Sequence, residues 1–491
     1  MSARRGRDYA RTSNVGESVA APDVARSPLF PPTDERLRVD DALTRALAAA
    51  DGRVRQGPVA NAVDVARLTA EMARFDFAAP VPFDDVLAWT IDWMEHGLVH
   101  VTHPRYFGLF NPAPTFPAQC ADRIAAVFNP QLATVTTSPF PVRLEAHVID
   151  AVAARLGMPA CATGHFTSGG SEANYTAMMC ALTQANENFA RLGARAFGGA
   201  PVCYVSKEAH LAWLKIAHQA GIGRDAVRLV GTDGCGRMDP ALLANEIASD
   251  CAAGCVPVLV VATAGTTGGG MIDPLAECAE AAARCGAWFH VDAAWGGTAV
   301  ASDRLRPLLA GIEHAASITI DAHKWFATTM ASGMFLTSRP QALANSFHVT
   351  MECMPSNIAS LDPYVTTAQW SRRFIGLRLF LSLAAAGWEG YATHVERSVS
   401  LCDLLCERLE RLDWTRANAS LLGVACLLPP PGSRSPQDIA RTVLQSGAAW
   451  VSAVTFEGQT TIRACVTSGE STQQDIEELV TALTMASGRD S

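Results

Sequence analysis

The chain has 491 residues, which is too many for one compact core, so we expect two or more domains. Hydrophobic residues make up 49% of the sequence and charged residues 18%, which is the balance of an ordinary folded protein. The formal net charge is -9, and no basic stripe or polybasic run indicates binding to nucleic acid or to a membrane surface. None of the 14 cysteines belongs to a Cys-x-x-Cys pair, so we interpret them as reduced thiols of a cytoplasmic protein.

The N-terminal part of the chain is predicted to be an arm followed by helices. Residues 1–35 are rich in Arg, Ser, Pro and Asp and show little apolar periodicity, which indicates a flexible arm. No apolar run follows the arginines at positions 4, 5 and 7, so we expect no secretory signal. Helical patterns then occur within residues 36–110, for example over 39–50 and 83–96.

Helices and short apolar strands alternate along the next segment, residues 111–383. The predicted strands cover residues 202–205, 256–263, 288–291 and 318–320. The predicted helices between them include 208–220 and 275–285. This alternation predicts a large α/β domain, with a mostly parallel sheet covered on both faces.

The order of elements changes near residue 384, where a long helix is predicted to start and to continue to residue 412. The elements predicted after it are a strand at 425–428, a helix at 437–445, strands at 451–456 and 461–466, and a helix at 473–485. We therefore predict a separate, small α+β domain over residues 384–491.

Three polar clusters directly follow apolar strands, which is where ligands bind in open α/β sheets. In the first cluster, Gly169, Gly170 and Ser171 precede a helix, and backbone N–H groups at a helix N-terminus form an anion site. A plain turn capped by Ser171 is the alternative.

In the second cluster, Asp292 ends an apolar strand, where an ionised carboxylate needs a partner. Capping of a nearby turn is the alternative there.

The third cluster contains Lys324, which is flanked by apolar residues. Such a lysine must find an anion, extend to solvent or lose its proton, and a lysine with a lowered pKa can form Schiff bases with carbonyls. A surface lysine is the alternative. Taken together, an anion site, a carboxylate able to pair with a pyridinium nitrogen and a Schiff-base lysine describe a site for pyridoxal 5'-phosphate (PLP).

At these residues the chain resembles the group II pyridoxal-phosphate-dependent amino-acid decarboxylases, a family that includes aromatic amino-acid, histidine and glutamate decarboxylases. The resemblance runs from about His103 to near the C-terminus. The segments that carry it are HPRYFG (103–108), SGGSEAN (168–174), EAH (208–210), GTT (265–267), HVDAAWGG (290–297), DAHKW (321–325) and SRRFIGLRLF (371–380).

The resemblance implies an α/β, PLP-dependent transferase fold (aspartate aminotransferase-like, fold type I), with a large PLP-binding domain and the small C-terminal domain. It also implies an amino-acid substrate and a homodimer with active sites at the subunit interface. It assigns Lys324 to the Schiff base with PLP, Asp292 to the pyridine nitrogen and His210 to stacking on the cofactor ring. His323 is implied to act beside the lysine. The further cofactor contacts that it implies are Gly170, Ser171, Thr267 and Ala294.

Three residues are candidate substrate contacts. Arg463 resembles an arginine that meets the substrate carboxylate in some members of the family, and a charge at a sheet edge is the alternative. Phe110 lies in the segment that follows HPRYFG. Cys353 falls where the family usually has a loop tyrosine that donates a proton, so Cys353, His323 and Tyr364 are the alternative donors.

The resemblance implies PLP-dependent decarboxylation of an L-amino acid to the corresponding amine. Because the usual proton donor is replaced, decarboxylation-dependent oxidative deamination to an aldehyde is the alternative on the same scaffold. A non-catalytic PLP-binding protein is a third alternative, against which the intact Lys324, Asp292 and His210 argue. The sequence leaves the side chain of the substrate open.

Overall fold

The structure is a computed structural model that describes residues 27, 29–349 and 362–488. Its N-terminal part is helical, with α1 (Thr33–Gln56), α2 (Val65–Met72), α3 (Phe83–His96), α4 (Phe116–Phe128) and α5 (Pro139–Arg155). Both helices predicted in this part are confirmed, because 39–50 lies inside α1 and 83–96 coincides with α3. The side chains of Asp64 and Thr115 accept hydrogen bonds from the backbone N–H groups of Arg67 and Ala118, which fixes the starts of α2 and α4.

The predicted arm is described only near its end. Helix α1 already begins at Thr33, so the end of the segment 1–35 is helical. Nearly all of the preceding residues lie outside the described part of the chain.

A seven-stranded sheet forms the centre of the molecule. Its strands are β1 (Thr163–Thr167), β2 (Pro201–Ser206), β3 (Val227–Val230), β4 (Val256–Thr263), β5 (Trp288–Asp292), β6 (Ser317–Asp321) and β7 (Gly333–Thr337). In the order β1-β7-β6-β5-β4-β2-β3, β7 is antiparallel to both neighbours and the other pairs are parallel. The mostly parallel sheet is therefore confirmed, with the four predicted strands at β2, β4, β5 and β6.

Helices cover both faces of this sheet. The α-helices that follow β1 along the chain, as far as Thr366, are α6 (Gly170–Ala185), α7 (Phe189–Leu192), α8 (Ala212–Gln219), α9 (Pro240–Ala252), α10 (Leu275–Cys285), α11 (Pro340–Phe347) and α12 (Pro363–Thr366), and α6, α8, α9 and α10 contact the strands directly. Successive residues of β4 enter two different apolar clusters: Val260 and Ala262 pack on one face, and Leu259 and Val261 on the other. Burial on both faces explains why the sequence of β4 is continuously apolar.

The helix predicted over 208–220 is shorter in the structure, because α8 begins only at Ala212. The Nδ1 atom of His210 lies 3.2 Å from the backbone N–H of Ala212 and accepts its hydrogen bond. His210 therefore lies in the loop that follows β2 rather than on a helix. This difference brings His210 to the carboxyl edge of the sheet.

The C-terminal part contains a second, four-stranded sheet. Its elements are α13 (Leu377–Glu410), β8 (Thr415–Arg416), β9 (Val424–Leu428), α14 (Pro436–Gln445), β10 (Ser452–Phe456), β11 (Gln459–Cys465) and α15 (Gln473–Ser487). The strand order is β10-β11-β9-β8, and all pairs are antiparallel. The predicted α+β order is confirmed, but α13 begins before residue 384 and continues across a kink at Gly387, whose φ is 64°.

In the ranges that the structure describes, no helix combines the length and the apolar character needed to cross a bilayer.

Candidate active site

A cavity of about 360 Å³ lies at the edge of the large sheet where β4, β5 and β6 end and α6 begins. This edge is where parallel strands and their following loops meet, and it is the usual ligand site of open α/β sheets. Nine of the predicted site residues line the cavity: Phe110, Gly170, Ser171, His210, Thr267, Asp292, Ala294, His323 and Lys324.

Lys324 is the only one of the three lysines in the sequence that lines this cavity. Its Nζ lies 3.0 Å from Oδ2 of Asp321, the buried last residue of β6. The sequence left three possibilities for Lys324: to pair with an anion, to extend to solvent or to lose its proton. The structure shows the first, with Asp321 as the anion. Asp321 was not predicted as a site residue, although the spacing of acid and lysine in DAHKW was an available signal.

Asp292 ends β5 with its carboxylate almost entirely buried. Its Oδ1 accepts a hydrogen bond from the N–H of Ala294 at 3.2 Å, and its Oδ2 accepts one from Nδ2 of Asn174 at 2.8 Å. The bond from Ala294 is the turn cap expected as the alternative, so Asp292 both caps a turn and lines the cavity. Asn174, on α6, was quoted in the SGGSEAN segment but was not predicted to contact Asp292.

The segment before α6 has the features of an anion site. Helix α6 begins at Gly170, and a Cβ atom placed on Gly170 would lie 2.9 Å from Oδ2 of Asp321. A side chain at this position would therefore displace the carboxylate. Ser171 does not cap the helix: Glu172 instead accepts hydrogen bonds from the N–H and the hydroxyl of Ser168. Ser171 remains exposed at the cavity and lies at the start of α6, the position at which helix N-termini bind anions.

Two imidazoles line the same cavity. Desolvation by the surrounding protein lowers the pKa of His210, and the nearby carboxylate of Asp292 opposes this shift. Burial likewise lowers the pKa of His323, with Asp321 opposing it, and Nε2 of His323 lies 3.7 Å from Oδ2 of Asp321. Both side chains are therefore mainly neutral near pH 7, and a neutral imidazole can take up a proton at its free ring nitrogen and then pass it on.

Phe110 and Arg463 are placed differently with respect to the cavity. Phe110 lines it and packs against Trp295, with the ring centroids 4.9 Å apart. Arg463 is buried on β11, an interior strand of the small sheet, and donates hydrogen bonds to the carbonyls of Thr267 and Gly108. Its guanidinium lies over the ring of Phe110, 5.2 Å from the centroid. Arg463 is not among the described residues that line the cavity, but it contacts two residues that are, Thr267 and Phe110.

The proposed proton donors on the loop are only partly described. Cys353 lies outside the described residues, so its position relative to the cavity stays a prediction. Tyr364 is buried on α12 and packs against Trp370 at a centroid distance of 5.1 Å. It is not among the described lining residues. His323 is thus the one of the three alternative donors that the described structure places at the cavity.

The cavity fits the chemical requirements of PLP. It brings together a primary amine for the aldehyde, a buried carboxylate for the ring nitrogen, and a helix N-terminus with exposed Ser171 for the phosphate. The Oδ1 atom of buried Asp321 has no hydrogen-bond partner among the described residues, as expected for a polar site that a ligand completes.

Comparisons with known proteins agree with this geometry. Residues 75–414 match the model of the pyridoxal-dependent decarboxylase conserved domain. The L-2,4-diaminobutyrate decarboxylase of Rhizobium meliloti is 33% identical over 300 residues, which cover 60% of this chain and 59% of that protein. Tyrosine decarboxylase 2 of Narcissus pseudonarcissus is 27% identical over 420 residues, which cover 81% of this chain and 83% of that protein.

A solved structure extends the similarity to nearly the whole chain. The crystal structure of mouse CSAD in apo form superposes with a TM-score of 0.85 at 26% identity, and the superposition covers 91% of this chain and 99% of that one. The family model alone covers more than half of the chain, including every predicted cofactor contact. The chain therefore belongs to the pyridoxal-dependent decarboxylase family: it has the fold type I of PLP-dependent transferases and is a PLP-dependent carboxy-lyase.

Proposed function

We propose that the protein removes the α-carboxylate of an L-amino acid and releases the corresponding amine. The observation that carries this proposal is that Lys324, Asp292 and His210 line one cavity of about 360 Å³. When bound, PLP would supply an aldehyde for the substrate amine and a ring that accepts the electrons left by the departing carboxylate. The remaining steps depend on the side chains of this chain.

The proposed roles of these side chains follow from their positions. Lys324 would attach the cofactor covalently and leave its ion pair with Asp321 when it does so. Asp292 would hold a proton at the pyridine nitrogen, and His210 would lie over the ring. The phosphate would bind at Gly170 and Ser171, with Thr267 and Ala294 as further contacts. His323 would return a proton to the α-carbon, because it is the described alternative donor at the cavity.

The charges of the lining favour a substrate whose side chain is not acidic. Among the described residues, the cavity is lined by the carboxylates of Glu172, Asp292 and Asp321 and by no arginine. Lys324 is its single lysine, and it would be occupied by attachment of the cofactor. Arg463 is already bonded to two backbone carbonyls. A second carboxylate on the substrate would therefore have no described cation to pair with, so we propose a neutral or cationic side chain.

The experiment that tests this function is incubation of the PLP-loaded protein with the common amino acids, supplemented with acidic and diamino ones. Carbon dioxide, amine and aldehyde are measured for each substrate. Stoichiometric amine and carbon dioxide support the proposal. Aldehyde, ammonia and peroxide formed under air would establish oxidative deamination instead, for which Cys353 is the sequence argument. Absence of any product with all substrates would contradict both reactions.

We also propose a homodimer with the active sites at the subunit interface. Large apolar side chains are exposed on α4 and at the start of α5: Phe116 (73%), Val127 (80%), Phe128 (78%) and Phe140 (65%). Such an accumulation of exposed apolar surface is typical of protein interfaces. Light scattering at the assay concentration should give the dimer mass, and Val127→Glu should reduce both the dimer fraction and activity. A fully active monomer would contradict the proposal.

A further inference from the structure

A row of buried polar side chains connects Asp292 to the interior of the large sheet. Trp288, His290 and Asp292 alternate along β5 and so share one face of the strand. His290 Nε2 lies 3.1 Å from Oδ1 of Asn174, whose Nδ2 donates to Asp292. On its other side, His290 Nδ1 lies 2.8 Å from the hydroxyl of Ser317, and this hydroxyl accepts a hydrogen bond from Trp288 Nε1 at 2.7 Å.

The chemistry of these groups fixes the direction of every hydrogen bond in the row. An ionised carboxylate only accepts, so Asn174 must direct its amide nitrogen to Asp292 and its oxygen to His290. That oxygen also only accepts, so Nε2 of His290 carries the proton. Burial lowers the pKa of His290 to about 4, so the ring is neutral at pH 7 and its Nδ1 accepts from Ser317.

The inner end of the row is fixed in the same way. The indole of Trp288 can only donate, so the oxygen of Ser317 accepts from it and the hydroxyl proton remains for His290. All donors therefore point toward Asp292, and a chain of aligned hydrogen bonds strengthens each member. All five side chains are buried, with His290 and Ser317 fully so.

We propose that His290, held as the neutral Nε2–H tautomer by Ser317, is a positioning residue that acts through Asn174 to orient the carboxylate of Asp292 toward the cofactor ring nitrogen. This inference rests on the proposed role of Asp292. His290 itself does not line the cavity, so it acts through Asn174 rather than by contact with a ligand. Without the Nε2–H donor, the amide of Asn174 is free to turn its oxygen toward the carboxylate.

A second buried histidine provides a matched control. His165 lies on β1 of the same sheet and is also almost fully buried, and burial lowers its pKa to about 3. In contrast to His290, neither of its ring nitrogens has a hydrogen-bond partner among the described residues. Replacement of His165 therefore measures what loss of a buried imidazole does to the sheet, without disturbing Asp292.

The first test is the tautomer of His290 in the cofactor-free protein. Long-range ¹H–¹⁵N spectra of ¹⁵N-histidine-labelled protein at pH 7 are compared with those of His290→Gln, which assigns the resonance. A neutral ring protonated at Nε2 is expected, and it should change tautomer or broaden in Ser317→Ala. A ring protonated at Nδ1, or a charged ring, would overturn the proposal.

The second test is the affinity of the cofactor-free protein for PLP, measured by equilibrium dialysis of His290→Leu, His290→Gln and His165→Leu. His290→Leu is expected to weaken binding roughly tenfold to a hundredfold, the range for losing one hydrogen bond that reaches a charged group. His290→Gln retains a donor near the Nε2 position and should retain most of the affinity. His165→Leu should bind PLP as the wild type does.

The remaining outcomes would each overturn the positioning role. Equal losses in His290→Leu and His290→Gln would mean that the imidazole acts by packing alone. An equal loss in His165→Leu would indicate a general effect on the sheet. If wild-type protein binds PLP and produces amine but His290→Leu binds PLP normally, the positioning role fails while the proposed function stands. If wild-type protein binds no PLP, the proposed function itself fails.

Discussion

Two neighbouring strands of the large sheet end in buried carboxylates, and these carboxylates have different partners. Asp292, at the end of β5, accepts hydrogen bonds from a backbone amide and from the side chain of Asn174, both neutral. Asp321, at the end of β6, pairs with Lys324 at 3.0 Å and lies 3.7 Å from His323. The neutral donors can stay bonded to Asp292 throughout a reaction. Lys324 must react with the cofactor, so its ion pair with Asp321 is temporary. The same sequence signal, an acid at a strand end, thus produces two different environments.

Lys324→Ala, which removes the ion-pair partner of Asp321, should have the largest effect on activity. The variant loses the only lysine at the cavity, so turnover should be abolished, and any bound PLP should lack the absorbance of the covalently attached cofactor. Lys207→Ala, which removes an exposed lysine, is the control and should remain active. Turnover by Lys324→Ala at a measurable fraction of the wild-type rate would remove this lysine from the mechanism.

Asp292→Asn should slow the reaction by several orders of magnitude, because an amide cannot hold the proton at the ring nitrogen. Each factor of ten corresponds to about 1.4 kcal/mol of activation free energy. The fold should be retained, since an amide can still accept from Ala294, but the thermal midpoint should fall because the new amide nitrogen faces the Nδ2 donor of Asn174. Steady-state kinetics and calorimetry measure the two effects. Wild-type rates in this variant would mean that the cofactor ring accepts electrons without the help of Asp292.

Asp321→Asn should cost much less, within roughly tenfold in kcat/KM, because the ion pair with Lys324 is absent once the lysine carries the cofactor. Comparison of the two Asp→Asn variants in the same assay tests the difference between the carboxylates directly. If both variants lose activity equally, Asp321 contributes to the chemical step and the contrast between the two strand ends is wrong.

The smallest expected effect concerns stability against pH. Burial lowers the pKa values of His165, His290 and His394 to about 3, 4 and 4, from an ordinary value of 6.5. Below pH 6.5 the unfolded chain binds protons that the folded protein does not, so these histidines reduce stability as the pH falls toward 4. His165→Leu should therefore flatten the decline in unfolding free energy between pH 7 and pH 5. Replacement of exposed His147 is the control. If the unfolding free energy of His165→Leu falls with pH as steeply as that of the wild type, the lowered pKa of His165 is wrong.

The sequence predicted the parts of the fold that depend on local pattern. Strands β2, β4, β5 and β6 were predictable because they are short, apolar and buried. Strand β1, with Gly164 and His165 in its five residues, has no such pattern, and its place beside the reversed β7 depends on distant pairing. The start of α8 was also missed, because the ring of His210 accepts the hydrogen bond of the first helical N–H, a local contact that apolar periodicity does not reveal.

The candidate site was predictable to the extent that its residues lie in recognisable segments. Lys324, Asp292, His210 and His323 were identified in this way, and the structure places all four at one cavity. Their partners were not predictable, because a contact such as the one between Asn174 and Asp292 joins residues more than a hundred positions apart. Arg463 illustrates the same limit, since its two carbonyl partners come from distant loops.

The most direct test of the central claim uses the fact that the chain has three lysines, Lys207, Lys215 and Lys324. The protein is loaded with PLP, reduced with borohydride and digested, and the modified peptide is identified by mass spectrometry. The proposed site predicts one pyridoxyl group per chain, on Lys324. Stoichiometric modification of Lys207 or Lys215, with Lys324 unmodified, would contradict it.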